Sequence, residues 1–243
     1  MYLLNHGSVI AAVICESNFA EPPMPYRRTE NVARRLAARH DAIIAAARQT
    51  ASEGGMAAVQ IAPVAARAGI AAGTVYRYFP AKTDLVAAVL AEMAEHEIGA
   101  LRRAAAAAPG PLSALSAAIV TFAARVLGER RLAFAAIAEP IDAELDFARR
   151  AFRQALVREF ALRIATAVAG GHLPEQDATL GAAAVVGLLV EGLIGPLAPE
   201  ASGRERELVQ SLTLLALRAL GVADARARGL VVQTAIPAPS TTS

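Results

Sequence analysis

Apolar residues recur at intervals of three and four along most of the chain, and the runs are broken at Gly and Pro. Leu36, Ile43, Ile44 and Ala47 share one face of a helix over 31–50, and Glu53-Gly54-Gly55 ends it, because glycine enters the left-handed cap conformation without a Cβ clash. A short helix over 61–68 tolerates Pro63 in its first turn, where the missing N–H is not needed. Gly69 turns the chain into another short helix over 72–78, which stops at Pro80. A long helix follows over 82–107, with Asp84 in the first turn matching the helix dipole. After Pro109-Gly110-Pro111, five more segments read as helices: 112–127, 131–138, 142–169, 175–194 and 204–220. The pattern predicts an all-α fold of about nine helices.

Composition supports that reading. Of 243 residues, 55% are hydrophobic, enough to bury a substantial core, and Ala dominates while Trp is absent and aromatics are few, which favours helix over sheet. The single Cys15 excludes an internal disulfide and a cysteine metal cluster, and points to a reducing cytoplasm. His6, His40, His96 and His172 are too scattered for a short metal motif. No catalytic constellation, metal site or cofactor motif is expected. The segment 180–197 is apolar, but Glu191 interrupts it and Gly and Pro break its end, short of the ~20 apolar residues of a bilayer span, so no membrane role is expected. The apolar stretch over 9–15 has no Arg or Lys ahead of it and does not read as a secretory signal.

Net charge is only +2, but it is unevenly spread. From Arg27 to Lys82 there are nine bases against three acids, leaving 15 bases and 19 acids elsewhere. A basic head on a mildly acidic body is the footprint of a polyanion partner.

Within that head, Val64, Ala65, Ala68, Ile70, Val75, Phe79 and Leu85 fall where two short crossed helices and the next helix share one small core. Ala65 and Ala68 are small enough for close approach, and Gly69 allows the turn. Val75 and Phe79, four apart, point inward; Thr74, Arg77 and Tyr78 take the opposite side, with Tyr76 on a flank. Such a face offers a hydroxyl, a guanidinium and a phenol on an element that fits the DNA major groove.

The stretch from Gly69, GIAAGTVYRYFPAKTDL, resembles the signature of the TetR family of bacterial repressors, approximately G-V-S-x-G-T-L-Y-x-Y/H-F-x-S-K-x-x-L. Gly69, Gly73, Thr74, Tyr76, Tyr78, Phe79, Lys82 and Leu85 match it, and Lys82 is the only lysine in the chain. Ala71 and Ala81 replace the two serines, removing two hydroxyl caps of about 1 kcal/mol each.

The resemblance implies a helix-turn-helix DNA-binding domain over 24–84 and an effector-binding and dimerisation domain over 85–222. It puts Thr74, Tyr76, Arg77 and Tyr78 at the bases and backbone and Lys82 on a phosphate, with the arm Arg27, Arg28, Arg34 and Arg35 offsetting the lost serine. Phe122, Phe134, Phe147, Phe152 and Phe160 are the large aromatics available to line an apolar cavity, with Arg125 or Glu139 as polar anchor. Segments 175–194 and 204–220 would form the homodimer interface. Residues 1–23 read as a disordered extension or a start-site artefact, and 223–243 as a disordered tail. The implied function is transcriptional regulation, a repressor released from a palindromic double-stranded operator by a small, largely apolar effector. Two rival readings are an all-helical enzyme or small-molecule-binding protein without DNA recognition, and an effector-independent activator.

Overall fold

A computed structural model of the chain describes residues 25–139 and 143–237, with side chains from residue 30 onward and none for residue 144. The expectations for residues 1–23 and for the side chains of Arg27 and Arg28 lie outside the described residues. The chain divides into two compact units, Met1–Ala38 and Arg39–Ser243. Among the described residues there are ten α-helices, one turn of 3-10 helix and no strand.

The first helix, α1, spans Pro25–Gly54. In the first unit its residues 30–38 are all exposed, including Leu36, which the periodicity assigns to a core face. Arg34 donates to the side chain of Asn31 there.

In the second unit α1 buries Ile43, Ile44, Ala46, Ala47 and Ala51. Gly55 stops it at φ 77°. A 3-10 turn, Met56–Ala58, leads to α2 (Ile61–Arg67), α3 (Ala72–Tyr78) and α4 (Lys82–Ala106). Gly69, at φ 66°, makes the turn between α2 and α3, and the Ile70 N–H closes it on the Ala65 carbonyl at 3.0 Å. Val59, Val64, Ala65, Val75, Phe79, Leu85 and Val86 are buried with the α1 residues in a small core.

The remaining helices are α5 (Pro111–Gly128), α6 (Arg130–Ile137), α7 (Ala143–Ala169), α8 (Ala178–Ile194), α9 (Glu205–Ala219) and α10 (Asp224–Gln233). Pro111 starts α5 at a position where its missing N–H costs nothing. Asp177 caps α8 by accepting from the N–H groups of Thr179 and Leu180, so that helix begins three residues later than its sequence pattern suggests. α5 is the central element and packs against α4, α7, α8, α9 and α10. It is long and apolar enough to cross a membrane by length and composition, yet 56% of that window is buried by its neighbours. A helix apolar all round is what a position surrounded by other helices demands.

α10 departs from the expected disordered tail. Ala227, Leu230 and Val231, at helical spacing, are buried, and α10 packs on α5 and α9. The apolar triad outweighs the polar residues around it, while the last six residues, 238–243, lie outside the described ones.

Candidate nucleic-acid interface

α3 is seven residues long and is oriented by two of its own side chains. Val75 is fully buried and Phe79, at its C-terminal end, is 5% exposed. At 100° per residue, fixing positions 75 and 79 inward sends Arg77 directly outward, with Gly73 one turn before it on the same side. Both are exposed. Tyr76 lies to one side and is 52% exposed. Thr74 and Tyr78, four apart, lie on the other side and are half-buried. Tyr78 packs against the core, its ring 6.4 Å from that of His40. Tyr78, expected on the outward side with Thr74 and Arg77, is half-buried beside His40 of α1, and Tyr76, expected on a flank, is the more exposed of the two.

Gly73 belongs to this face although the sequence reading gave it no role in the site. It has no positive φ, and a Cβ built on it would meet nothing within 4 Å. The fold does not require glycine there. What a missing side chain does provide is open backbone on the outward face of α3, where another molecule can approach closely.

The helix starts bear out the loss of hydroxyl caps. Neither Ala71 nor Ala81 gives a side-chain cap, and at α3 the Thr74 N–H turns to the Ala71 carbonyl at 2.8 Å instead. At α4 half of a capping box survives, because the Asp84 carboxylate accepts from the Ala81 N–H at 2.9 Å. This sets the first turn of α4 and with it Lys82, its first residue, which is half-buried. Arg77 and Lys82 make no ion pair among the described residues, whereas Arg67 pairs with Glu53 and Arg48 with Glu129. The basic surplus of the head is therefore narrower than its count suggests. Arg34 and Arg35 are exposed in the first unit.

A cavity lies between α4, α5, α6 and α7, touched also by Arg48 of α1. Met93, Phe122, Val126, Leu132, Ala133, Ala136, Ile137 and Phe152 make its apolar wall. A water centre can occupy about 50 Å³ of it, several times the ~10–15 Å³ that one water requires. Of the expected lining residues, Phe122, Phe152 and Arg125 face this space, while Phe160 is fully buried and does not line it. Phe134 and Phe147 do not line it and are 40% and 66% exposed. Glu139 does not line it either: its carboxylate accepts from the Met56 N–H at 2.8 Å, and its carbonyl accepts from Arg149. Helical spacing alone does not distinguish an aromatic at the edge of a core from one inside it.

The polar side of the cavity is made of Arg48, His96, Glu97, Arg125 and Glu129, of which only Arg125 is an expected anchor. Arg125 donates from Nε to Glu97 at 2.8 Å and lies 3.1 Å from Nδ1 of His96 through Nη2; Arg48 donates to Glu129 at 2.8 Å. Burial pushes the Glu97 carboxyl above its ordinary range, with Arg125 pulling the other way. Burial and then the Arg125 and Arg48 cations lower the His96 imidazole below its ordinary 6.5. Among the described residues no group of His, Cys, Asp and Glu could hold a metal ion.

Comparison with known proteins agrees with this geometry. Residues 43–89 match the model of the bacterial regulatory proteins of the tetR family. The chain is similar to the HTH-type transcriptional repressor KstR of Mycolicibacterium smegmatis, 41% identical over 78 residues, which are 32% of this chain and 38% of that protein. Against KstR of Rhodococcus jostii it is 49% identical over 53 residues, 22% of this chain and 25% of the relative. The matched stretch thus spans well under half of the curated relatives' length. Over the whole fold, RolR without ligand superposes with a TM-score of 0.60 at 21% identity, covering 82% of this chain and 100% of RolR. FadR from Bacillus subtilis, in complex with stearoyl-CoA, gives 0.64 at 19% identity, covering 76% and 99%. The α2-turn-α3 unit and the family match together lead to one conclusion: residues 43–89 form a DNA-binding region of the tetR family of bacterial regulatory proteins, in a chain whose described helices share the fold of these solved structures.

Proposed function

We propose that this protein is a cytoplasmic transcriptional repressor that holds a palindromic operator as a homodimer and releases it when a small effector enters the α4–α7 cavity. The observation that carries the reading is the outward face of α3, where Gly73, Tyr76 and Arg77 stand free on a helix anchored by Val75 and Phe79. Arg77 donates a bidentate pair to a guanine edge in the major groove, worth about 1–3 kcal/mol of discrimination. Tyr76, Thr74 and Tyr78 flank it toward bases and backbone, and Lys82 neutralises a phosphate from the start of α4. Arg34 and Arg35 add backbone contacts. Repression is the sense favoured by the KstR relatives, both named as repressors.

In this reading residues 24–84 are the DNA-binding domain and 85–222 the effector-binding and dimerisation domain. The dimer forms through the helices of segments 175–194 and 204–220. Leu180 on α8 and Leu215 on α9 support this, being 69% and 51% exposed on helices otherwise rich in buried apolar residues.

Release follows from how the cavity is tied to the head. α4 carries Lys82 at its start and Met93, His96 and Glu97 in the cavity wall. α6 supplies Leu132, Ala133, Ala136 and Ile137 to the same wall. The residues bracketing α6 are held by the head, Glu129 by Arg48 and Glu139 by the Met56 N–H. An effector that pushes on α6 therefore pulls on α1 and on the turn before α2. It changes the separation of two recognition helices that must meet half-sites about one helical turn apart. The fold relatives include RolR in complex with resorcinol as well as FadR with stearoyl-CoA. The size of the cavity here favours the single-ring class over a long acyl chain.

The test is selection of genomic fragments followed by gel shift across a salt series. A regulator retains a short palindromic site and loses affinity steeply with salt, with a log–log slope of about 0.9 per phosphate contacted. Reversing both charges, Arg77→Glu with Lys82→Glu, is expected to lower operator affinity more than a hundredfold while the sedimentation of the dimer stays unchanged. Retained binding in that variant overturns the assignment.

A further inference from the structure

The charged groups around the α4–α7 cavity are already paired with one another. Arg48 is taken by Glu129 and Arg125 by Glu97, and the imidazole Nδ1 of His96 lies against the Arg125 guanidinium. With two guanidiniums facing two carboxylates, the formal charge of the lining sums to zero while His96 is neutral, and its lowered pKa keeps it so at pH 7. One polar atom is left over. Glu97 Oε1 is buried and has no hydrogen-bond partner among the described residues, while Oε2 of the same carboxylate accepts from Arg125. A buried acceptor without a donor is the unusual feature of this space, since buried polar atoms are almost always satisfied.

We propose that Glu97 is the polar anchor of the cavity and that its occupant is a small neutral molecule of one ring bearing a hydroxyl group, which donates to Glu97 Oε1. This rests on the reading of the cavity as the effector site and names the class of effector. Each alternative class fails on a particular residue. An organic anion finds no unspent cation and is repelled by Glu97 and Glu129. A hydrocarbon of equal size fits between Phe122, Phe152, Val126 and Leu132 but leaves Oε1 dry. A molecule with only an acceptor meets a carboxylate oxygen. A ring with a hydroxyl covers the apolar wall and satisfies the one unfilled site, giving the Glu97 carboxylate a second donor beside Arg125.

Calorimetric titration of the full chain at pH 8, free of DNA, with phenol, toluene, benzoate and acetophenone tests this. Phenol is expected to bind at one site per chain, toluene about tenfold more weakly or worse, because a hydrogen bond to a charged acceptor is lost, and benzoate and acetophenone more weakly than phenol. Glu97→Gln keeps an oxygen for Arg125 and turns an N–H toward the cavity, so it should weaken phenol and strengthen acetophenone. Ala133→Leu fills the space and should remove all binding. Toluene or benzoate binding as tightly as phenol overturns the proposal, as does a Glu97→Gln protein that ranks the four probes as the wild type does, or the absence of binding by any of them. Gel shift of the selected operator, run on the same preparations, separates that failure from failure of the regulator reading. If an anion or a hydrocarbon dissolves the operator complex, the effector site stands and only its assigned chemistry falls.

Discussion

Two buried side chains, Val75 and Phe79, decide where Arg77 points, because all three lie within five consecutive residues of one short segment. The polar lining of the cavity is organised differently. Arg48, His96, Glu97, Arg125 and Glu129 come from α1, α4, α5 and the α5–α6 junction, and the Arg48–Glu129 pair joins residues 81 positions apart. The outward face of α3 is thus a local consequence of helical periodicity, whereas the cavity is a consequence of how long helices stack. The first can be read from sequence, and the second needs the fold.

That contrast can be broken most severely at the anchors. Phe79→Ala should cost about 3–5 kcal/mol in chemical denaturation, as expected for a buried phenylalanine. Phe147→Ala, at a 66% exposed aromatic, should stay within about 0.5 kcal/mol. Equal costs would mean that the two regions do not differ in the way described.

A smaller effect separates folding from recognition within α3 itself. Gly73→Ala should stabilise the protein by up to about 1 kcal/mol, since the added Cβ meets nothing and alanine is the better helix former. In the same protein operator affinity should fall, because the methyl intrudes where DNA backbone or bases come close. A variant that is stabilised and binds DNA as before would remove Gly73 from the interface.

The smallest effect concerns pH and belongs to the cavity. His96 has a folded pKa below 6.5, so the folded state resists taking up a proton there, and its contribution to stability declines as pH falls from 6.5 through the folded pKa. Glu97 has a folded pKa above its ordinary 4.5, so it acts in the opposite sense: protonation favours the fold as pH falls through that raised value. Melting temperatures between pH 7 and pH 5 should therefore drop less in His96→Asn than in the wild type, and more in Glu97→Gln. Parallel profiles for all three proteins would show that neither group senses the cavity.

How far the sequence reached follows the same line. The α2-turn-α3 unit was legible because its constraints are local: the left-handed turn at Gly69, the stop at Pro80, and the inward pair at 75 and 79. The helical body was legible as a set of helices bounded by Gly and Pro, but not in its interior. Phe134 and Phe147 have the size for a pocket wall and sit outside it, while Phe152 lines it, and nothing in their spacing tells them apart. α10 was hidden by its short apolar pattern, since Ala227, Leu230 and Val231 gain their value only when α5 and α9 are there to receive them. The relative exposure of Tyr76 and Tyr78 is not legible within α3, because the residue beside Tyr78, His40, lies on another helix.

The central claim is that α3 reads bases through Arg77. It is tested most directly by fluorescence anisotropy of the selected operator with Arg77→Ala, alongside single base-pair substitutions across each half-site. The account predicts a loss of about tenfold to a hundredfold in affinity, from the ~1–3 kcal/mol of one bidentate pair. It also predicts lost discrimination at a single G·C position, with an unaltered melting temperature. Unchanged affinity, or an equal loss at every position, would contradict it.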